Sequence, residues 1–435
     1  MSTGRALRRL ESLSVRGMRL GLEAIGAVCD RLGRPERDVR SILIAGTNGK
    51  GSTAATLSAI ARAAGVRAGL YTSPHLVDVT ERIRVEDEDV SHAELDEALA
   101  RVFAAADETP AIPLTYFEAM TAAAFAVFSS RRLDLAVLEV GLGGRFDATN
   151  VAPAAVSVVT SIGLDHMAEL GATRPLIARE KAGIFRSGRP ALARAVASDA
   201  RETLREAALA AGALWHDALE EIGVEVGAVS LEGTRFRLRT PRREATLATP
   251  LPGSHQAWNA ALAVRAAELL DGETPRLSRG EAIASGLAGV RWPGRLERRR
   301  LEDRDVLLDG CHNVEGAEAL ARFLADAGLD RKCPLVFGAM ADKDIEGIVA
   351  ALFPHAAAVF LTPAPSDRAA SAAELARRVA AVRPDAVPAE SLADALARAR
   401  RLPGRDPIIV AGSLYLVGEA EARLLAAEGR APQSA

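Results

Sequence analysis

At 435 residues the chain is longer than one hydrophobic core comfortably fills, so two or three domains are expected. The formal net charge of −3 excludes non-specific nucleic-acid binding through bulk charge. Although 49% of the residues are hydrophobic, no uninterrupted apolar stretch reaches the roughly 20 residues that a membrane helix needs.

Three cysteines, Cys29, Cys311 and Cys333, lie far apart without C-x-x-C spacing, which suits a reducing compartment and no structural disulfide or zinc site. The first stretch, Met1 to Arg19, is arginine-rich but contains Glu11 and lacks an apolar signal core. It reads as an amphipathic helix of a cytoplasmic protein.

Apolar positions at helical spacing run from Leu7 to Leu32 and stop at Gly33 and Pro35. The apolar run Ser41-Ile42-Leu43-Ile44 then leads into Ala45-Gly46-Thr47-Asn48-Gly49-Lys50-Gly51-Ser52, followed by an alanine-rich helix from Thr53 to Ala64. Strand, glycine-rich turn, lysine, hydroxyl and helix form the layout of a phosphate cradle. Glycines let the backbone approach a polyphosphate, and the first NH groups of the helix point at it. Lys50 adds a positive charge, and Ser52 an oxygen for phosphate-bound Mg²⁺. The spacing departs from the Walker form, because only Thr47 and Asn48 separate the glycines and Gly51 follows the lysine.

Gly65 closes that helix, and Arg67 to Tyr71 reads as a strand running into the loop Thr72-Ser73-Pro74-His75-Leu76. Arg82 to Val85 is short and extended, and Ser91 with Glu94 reads as a capping box for a helix to about Ala106. Leu114 to Glu118 opens an apolar helix reaching Phe128. Leu133 to Val140 and Ala155 to Thr160 read as buried parallel strands, with a helix from Thr173 to Ala182 and a strand from Pro190 to Val196 after them. Strands alternating with helices imply a parallel sheet with functional groups at the carboxyl ends of its strands, where Glu139, His166 and the glycine turn all fall.

From Leu214 to Thr249 the alternation becomes antiparallel, and Pro252 to Asn259 starts a helix to about Leu270. Arg291 to Arg295 reads as a linker, and Arg298-Arg299-Arg300 as a solvated strand end. A second α/β pattern follows, with strands at 306–309, 335–338, 358–361 and 408–411, and the last ten or so residues fray. The expected architecture is a P-loop-type parallel-sheet N-terminal domain over 1–290, a linker at 291–295, a smaller Rossmann-like C-terminal α/β domain over 296–425 and a tail at 426–435.

The glycine turn resembles that of the ATP-dependent Mur-ligase superfamily. Thr72 to Leu76, Thr115 to Glu118, Leu138 to Arg145, Asp147 to Asn150, Ser161 to His166, Glu180 to Ile184, Pro293 to Glu297 and Asp309 to Asn313 resemble its dihydrofolate synthase/folylpolyglutamate synthase branch. The resemblance implies ATP-dependent joining of L-glutamate to dihydropteroate, to a folate tail, or to both, with bifunctionality preferred. The ATP γ-phosphoryl would first activate the carboxylate, and the resulting acyl phosphate would take the glutamate amine.

By resemblance, Gly46, Thr47, Asn48, Gly49, Lys50, Gly51, Ser52, Asn259, Arg295, Asp309 and His312 contact the nucleotide. Lys50, Lys181, Asp309 and His312 would serve catalysis, with Lys181 at the position the family carbamylates. Ser52, Ser73, Glu139 and His166 would hold metal. Thr115, Tyr116, Phe117, Glu118, Phe146, Asp147 and Ala148 would line a pterin-side pocket. ATP and two Mg²⁺ ions are implied, with a monovalent cation as an optional addition. The implied partners are small-molecule substrates, with no nucleic acid, no membrane and a monomeric chain. A peptidoglycan-precursor ligase is the nearest rival, but too few residues precede Gly46 for the UDP-sugar domain such enzymes carry. A regulator that binds ATP without chemistry is the rival from another class.

Overall fold

The computed structural model describes residues 4–14, 21–270 and 276–428. Three sheets organise them. The first has eight strands: β1 (Arg40–Ala45), β2 (Ala68–Tyr71), β3 (Ile83–Val85), β4 (Glu88–Asp89), β5 (Leu135–Glu139), β6 (Ala154–Val159), β7 (Pro190–Ala193) and β8 (Leu214–Asp217). Their spatial order is β4-β3-β2-β5-β1-β6-β7-β8, parallel throughout except at β3 and β4. The central strands are fully buried, which is why they read as continuous apolar runs rather than alternating ones. β1 lies between β5 and β6, so the carboxyl ends carrying the glycine turn, Glu139 and Thr160 to His166 open on one crevice.

The second sheet is a three-stranded antiparallel meander, β9 (Gly223–Ser230), β10 (Gly233–Thr240) and β11 (Arg243–Thr249). Phe236 and Leu238 of β10 face the core while Arg235, Arg237 and Arg239 face solvent, as period-two alternation requires. Helix Ser254–Leu269 packs between this meander and helix Lys50–Ala63.

The third sheet comprises β12 (Arg295–Leu301), β13 (Arg304–Asp309), β14 (Pro334–Phe337), β15 (Ala358–Leu361), β16 (Val387–Pro388) and β17 (Ile408–Ala411). Its order is β12-β13-β17-β14-β15-β16, parallel except for the edge strand β12. The expected fold class, two α/β units of unequal size, is what these sheets build.

Several expectations need correction. The single N-terminal helix becomes Arg5–Ser12 and Glu23–Arg31, with residues 15–20 outside the described set. Leu214–Asp217 extends the large parallel sheet beside β7 instead of opening the antiparallel unit. Ser91 caps its helix by accepting from the Glu94 amide, but the Glu94 carboxylate is taken by Arg131 at 2.8 and 3.0 Å, so the box is half made. Arg298 to Arg300 do lie toward the solvated end of β12, as expected, and are paired with Glu232, with Glu297 and Glu421, and with Asp305 respectively. The expected tail beyond residue 428 lies outside the described residues.

Candidate active site

The turn after β1 needs glycine for conformation and for space. Gly46 and Gly49 have φ of 151° and 86°, and Gly49 is the N-cap of helix Lys50–Ala63. A β-carbon on Gly46 would strike Thr160 Oγ1, and one on Gly49 the Asn259 side chain. The β6 loop pins the turn. Thr47 N donates to Ser161 O at 2.9 Å, Asn48 N to Ser161 Oγ at 2.9 Å and Thr160 Oγ1 to Asn48 O at 2.6 Å. Asn259 donates to Gln256 at 2.9 Å, which fixes the amide beside Gly49.

Two lysines converge on one carbonyl. Lys50 Nζ lies 3.1 Å from Gly46 O and 3.2 Å from Thr47 O, and Lys181 Nζ lies 2.9 Å from Gly46 O. Burial lowers the pKa of Lys50 against the pull of Glu139. Burial, with repulsion from Lys50 second, brings Lys181 down to about 7. Ala178, Ala182 and Ile184 are buried around it, as the sequence suggests. A glycine turn faced by two lysine side chains fits a polyphosphate.

Glu139 is buried at the end of β5, and its Oε2 accepts from Ser73 N at 3.2 Å. Burial raises its carboxyl, with Lys50 opposing. Ser52 is buried in the first turn of the helix. His166 follows β6 in the left-handed region, φ 52°, with its ring about half exposed. Among the described residues no group of three or more His, Cys, Asp and Glu side chains could hold a metal ion. Ser52, Ser73 and Glu139 offer hard oxygens, which fits Mg²⁺ only where phosphate and water complete the shell, the usual way this ion is held.

The second lobe faces the turn. Asp309 ends β13, and its carboxylate accepts from Leu296 N at 3.1 Å and Cys311 N at 3.0 Å, fixing the turn that presents His312. His312 Nδ1 bonds Gly310 O at 2.9 Å. Arg295 is level with Asp309 across the β12–β13 pair. Ser73, His75, Glu139, Trp292 and Arg295 line a cavity between the large sheet and this lobe. His75 Nδ1 accepts from Arg82 at 2.9 Å, and burial followed by that cation pushes the imidazole down to about 4.

The expected pterin-side residues serve partly as framework. Thr115 and Glu118 form a complete capping box on helix Tyr116–Ser130. Phe117 packs against Tyr71 and fills the space beside Gly141. Tyr116 lies under Arg82, with 5.3 Å between the guanidinium carbon and the ring centre. Buried Asp147 binds Thr149 and Leu142 N, bracing the loop that carries exposed Phe146 and buried Ala148.

Sequence reasoning assigned no role to Asp165, Asn313 or Lys343. Asp165 and Asn313 stood inside recognised motifs, beside the His residues that drew attention. Lys343 had no signal, because its loop approaches the site only through the fold of the second lobe.

The chain matches the family models for the Mur ligase middle domain over residues 44–267 and the Mur ligase glutamate ligase domain over 294–414. It is 37% identical to the dihydrofolate synthase/folylpolyglutamate synthase of Bacillus subtilis over 82% of this chain and 84% of that one. With the enzyme of the same name from Escherichia coli the figures are 38%, 85% and 83%. A Mycobacterium tuberculosis folylpolyglutamate synthase solved with ADP superposes with a TM-score of 0.87 and 34% identity, covering 96% of this chain and 98% of that one. E. coli FolC solved with DHPP and ADP gives 0.85 and 32%, covering 97% and 98%. With its two-lobed fold and phosphate cradle, the chain belongs to the dihydrofolate synthase/folylpolyglutamate synthase family of Mur-type ligases and is an ATP-dependent ligase.

Proposed function

We propose that the chain joins L-glutamate to dihydropteroate and, by γ-glutamyl linkage, to reduced folates. The observation that carries this reading is the meeting of the second lobe with the nucleotide turn. His312 and Asn313 come to rest beside Asn48 and Asp165, so donor phosphate and incoming amine have one enclosed meeting place. A carboxylate resists attack by an amine, and an acyl phosphate does not. The same acyl phosphate is lost to water unless the crevice closes.

In this reading Gly46 to Ser52, Asn259 and Arg295 bind ATP. Lys50 holds the transferring phosphoryl charge, and Asp309 and His312 orient the amino acid. The pterin-side pocket is formed by Thr115 to Glu118 with Phe146, Asp147 and Ala148. Ser52, Ser73, Glu139 and His166 would hold Mg²⁺, in two positions with a monovalent cation optional, and the ion would screen phosphate charge. Lys181, whose ammonium is disfavoured by burial, is suited to react with CO₂. The joint between the two units is placed at 291–295.

We also infer a monomer acting in the cytoplasm. No helix of the described residues is long and apolar enough to cross a membrane. A second reading, one activity without the other, is separated by the same experiment. Purified protein is incubated with ATP, Mg²⁺, glutamate and either dihydropteroate or tetrahydrofolate, and products are identified by mass. New amide from both supports the proposal, from one alone supports the narrower reading, and from neither removes both.

A further inference from the structure

Polar contacts between the lobes concentrate on one carboxylate. Asp165, at the end of the β6 loop, has a nearly buried side chain. Its Oδ1 accepts from Lys343 Nζ at 2.6 Å, and its Oδ2 accepts from Asn313 Nδ2 at 3.1 Å and lies 3.6 Å from His312 Nε2. All three partners belong to the second lobe, two from the β13 turn and one from the loop after β14. Asn313 also exchanges amide hydrogen bonds with Asn48 of the nucleotide turn, at 3.2 and 3.1 Å, while its Oδ1 caps helix Val314–Asp326. Beside them Leu164 N donates to Glu315 at 3.3 Å, and a β-carbon on Gly163 would meet that carboxylate at 2.5 Å.

The consequence is mechanical. Thr47 Oγ1 accepts from Gly163 N at 2.9 Å and donates to Gly163 O at 3.2 Å, so the β6 loop and the nucleotide turn are tied to each other. A second lobe fastened to Asp165 and Asn48 is therefore fastened to the phosphate cradle itself. Lys343 supplies the one ammonium in this contact, mostly buried and without a role in binding the nucleotide turn. A charge-assisted bond at this distance, largely shielded from water, is a strong tie between the lobes.

We propose that Lys343 is a positioning residue that acts through Asp165. It latches the second lobe shut over the cradle so that the activated carboxylate meets the amine and not water. The proposal rests on the ligase reading above, and the test keeps the two apart. Wild-type protein is first assayed for amide and phosphate release side by side, and absence of amide sinks the ligase reading itself. With amide formed at about one per phosphate, Lys343→Ala is expected to lower amide kcat at least tenfold and to raise phosphate released per amide above two. Its ADP affinity should remain within about threefold of wild type, and Lys343→Arg should restore most of the coupling. Unchanged coupling in Lys343→Ala overturns the latch. So does a loss of ADP binding in step with activity, which would make Lys343 part of the nucleotide site or of the fold.

Discussion

The indole of Trp292 occupies the space a side chain at Gly51 would need: a β-carbon there would lie 2.5 Å from Trp292 Cζ2. This explains why a glycine follows the lysine in place of the hydroxyl of a Walker turn. Trp292, three residues before β12, leans its indole on the first turn of helix Lys50–Ala63, with Arg84 on the indole at 5.7 Å. Gly51→Ala should weaken ADP binding about tenfold or more by calorimetry, because the helix start or the Trp292 segment must shift. Gly51→Ala/Trp292→Leu should recover much of the loss, and additive losses would show that the two positions do not communicate.

Glu139→Gln should abolish turnover, by about a thousandfold or more, while leaving the melting temperature at pH 7 no lower than wild type. The carboxylate is buried and its pKa is raised mainly by burial, so its charged form costs stability that the amide spares. The sign follows from linkage. A raised folded-state pKa favours folding at acid pH, and that advantage fades as pH rises through it. The melting difference in favour of Glu139→Gln should therefore widen from pH 4 upward. Near-normal turnover would remove the metal assignment.

Lys181 has a folded-state pKa of about 7, well below the ordinary lysine value near 10.4. The unfolded chain binds the extra proton between those values, so the unmodified protein should gain stability as pH climbs from 7 toward 10. Lys181→Met should lack that slope in urea titrations. Carbamate formation, followed by ¹³C NMR under ¹³CO₂, should be weak at pH 6 and strong at pH 8, and absent in the methionine variant.

Glu268 is fully buried in helix Ser254–Leu269 and accepts from Thr240, Arg243 and Arg265 at 3.0, 2.6 and 3.4 Å. Glu268→Ala removes the buried carboxylate that Thr240, Arg243 and Arg265 share, leaving Arg265 paired with Glu221 alone, and should destabilise the fold by roughly 1–3 kcal/mol in denaturant titration. Because the network ties the antiparallel meander to the helix, away from the crevice, KM for ATP at 25 °C should be unchanged.

The sequence shows most of the frame because buried parallel strands and glycine turns leave strong local signals. Ile42 to Ala45 and the turn after it are legible from period and composition alone. Glu139 lies beside the glycine turn because strand ends dictate where a doubly wound sheet opens its crevice, whereas Lys181 sits on helix Arg174–Ala182 and is marked in the sequence by resemblance alone. What stayed hidden depends on contacts made at long range. Residues 214–217 look like the start of the antiparallel unit because four residues carry no pairing partner in their own pattern. Glu94 looks like half of a capping box because nothing local tells that Arg131 will claim it. The meeting of Asp165 with Lys343 spans 178 positions, and no periodicity encodes it.

The middle of the second lobe is built from its last strand. β17 slots between β13 and β14, so a ribosome must deliver nearly the whole chain before that sheet has its central member. The glycine turn and the strands around it all precede residue 218. The large sheet can thus form while the second lobe is still two unjoined edges, and a chain stopped short of Ile408 would expose both.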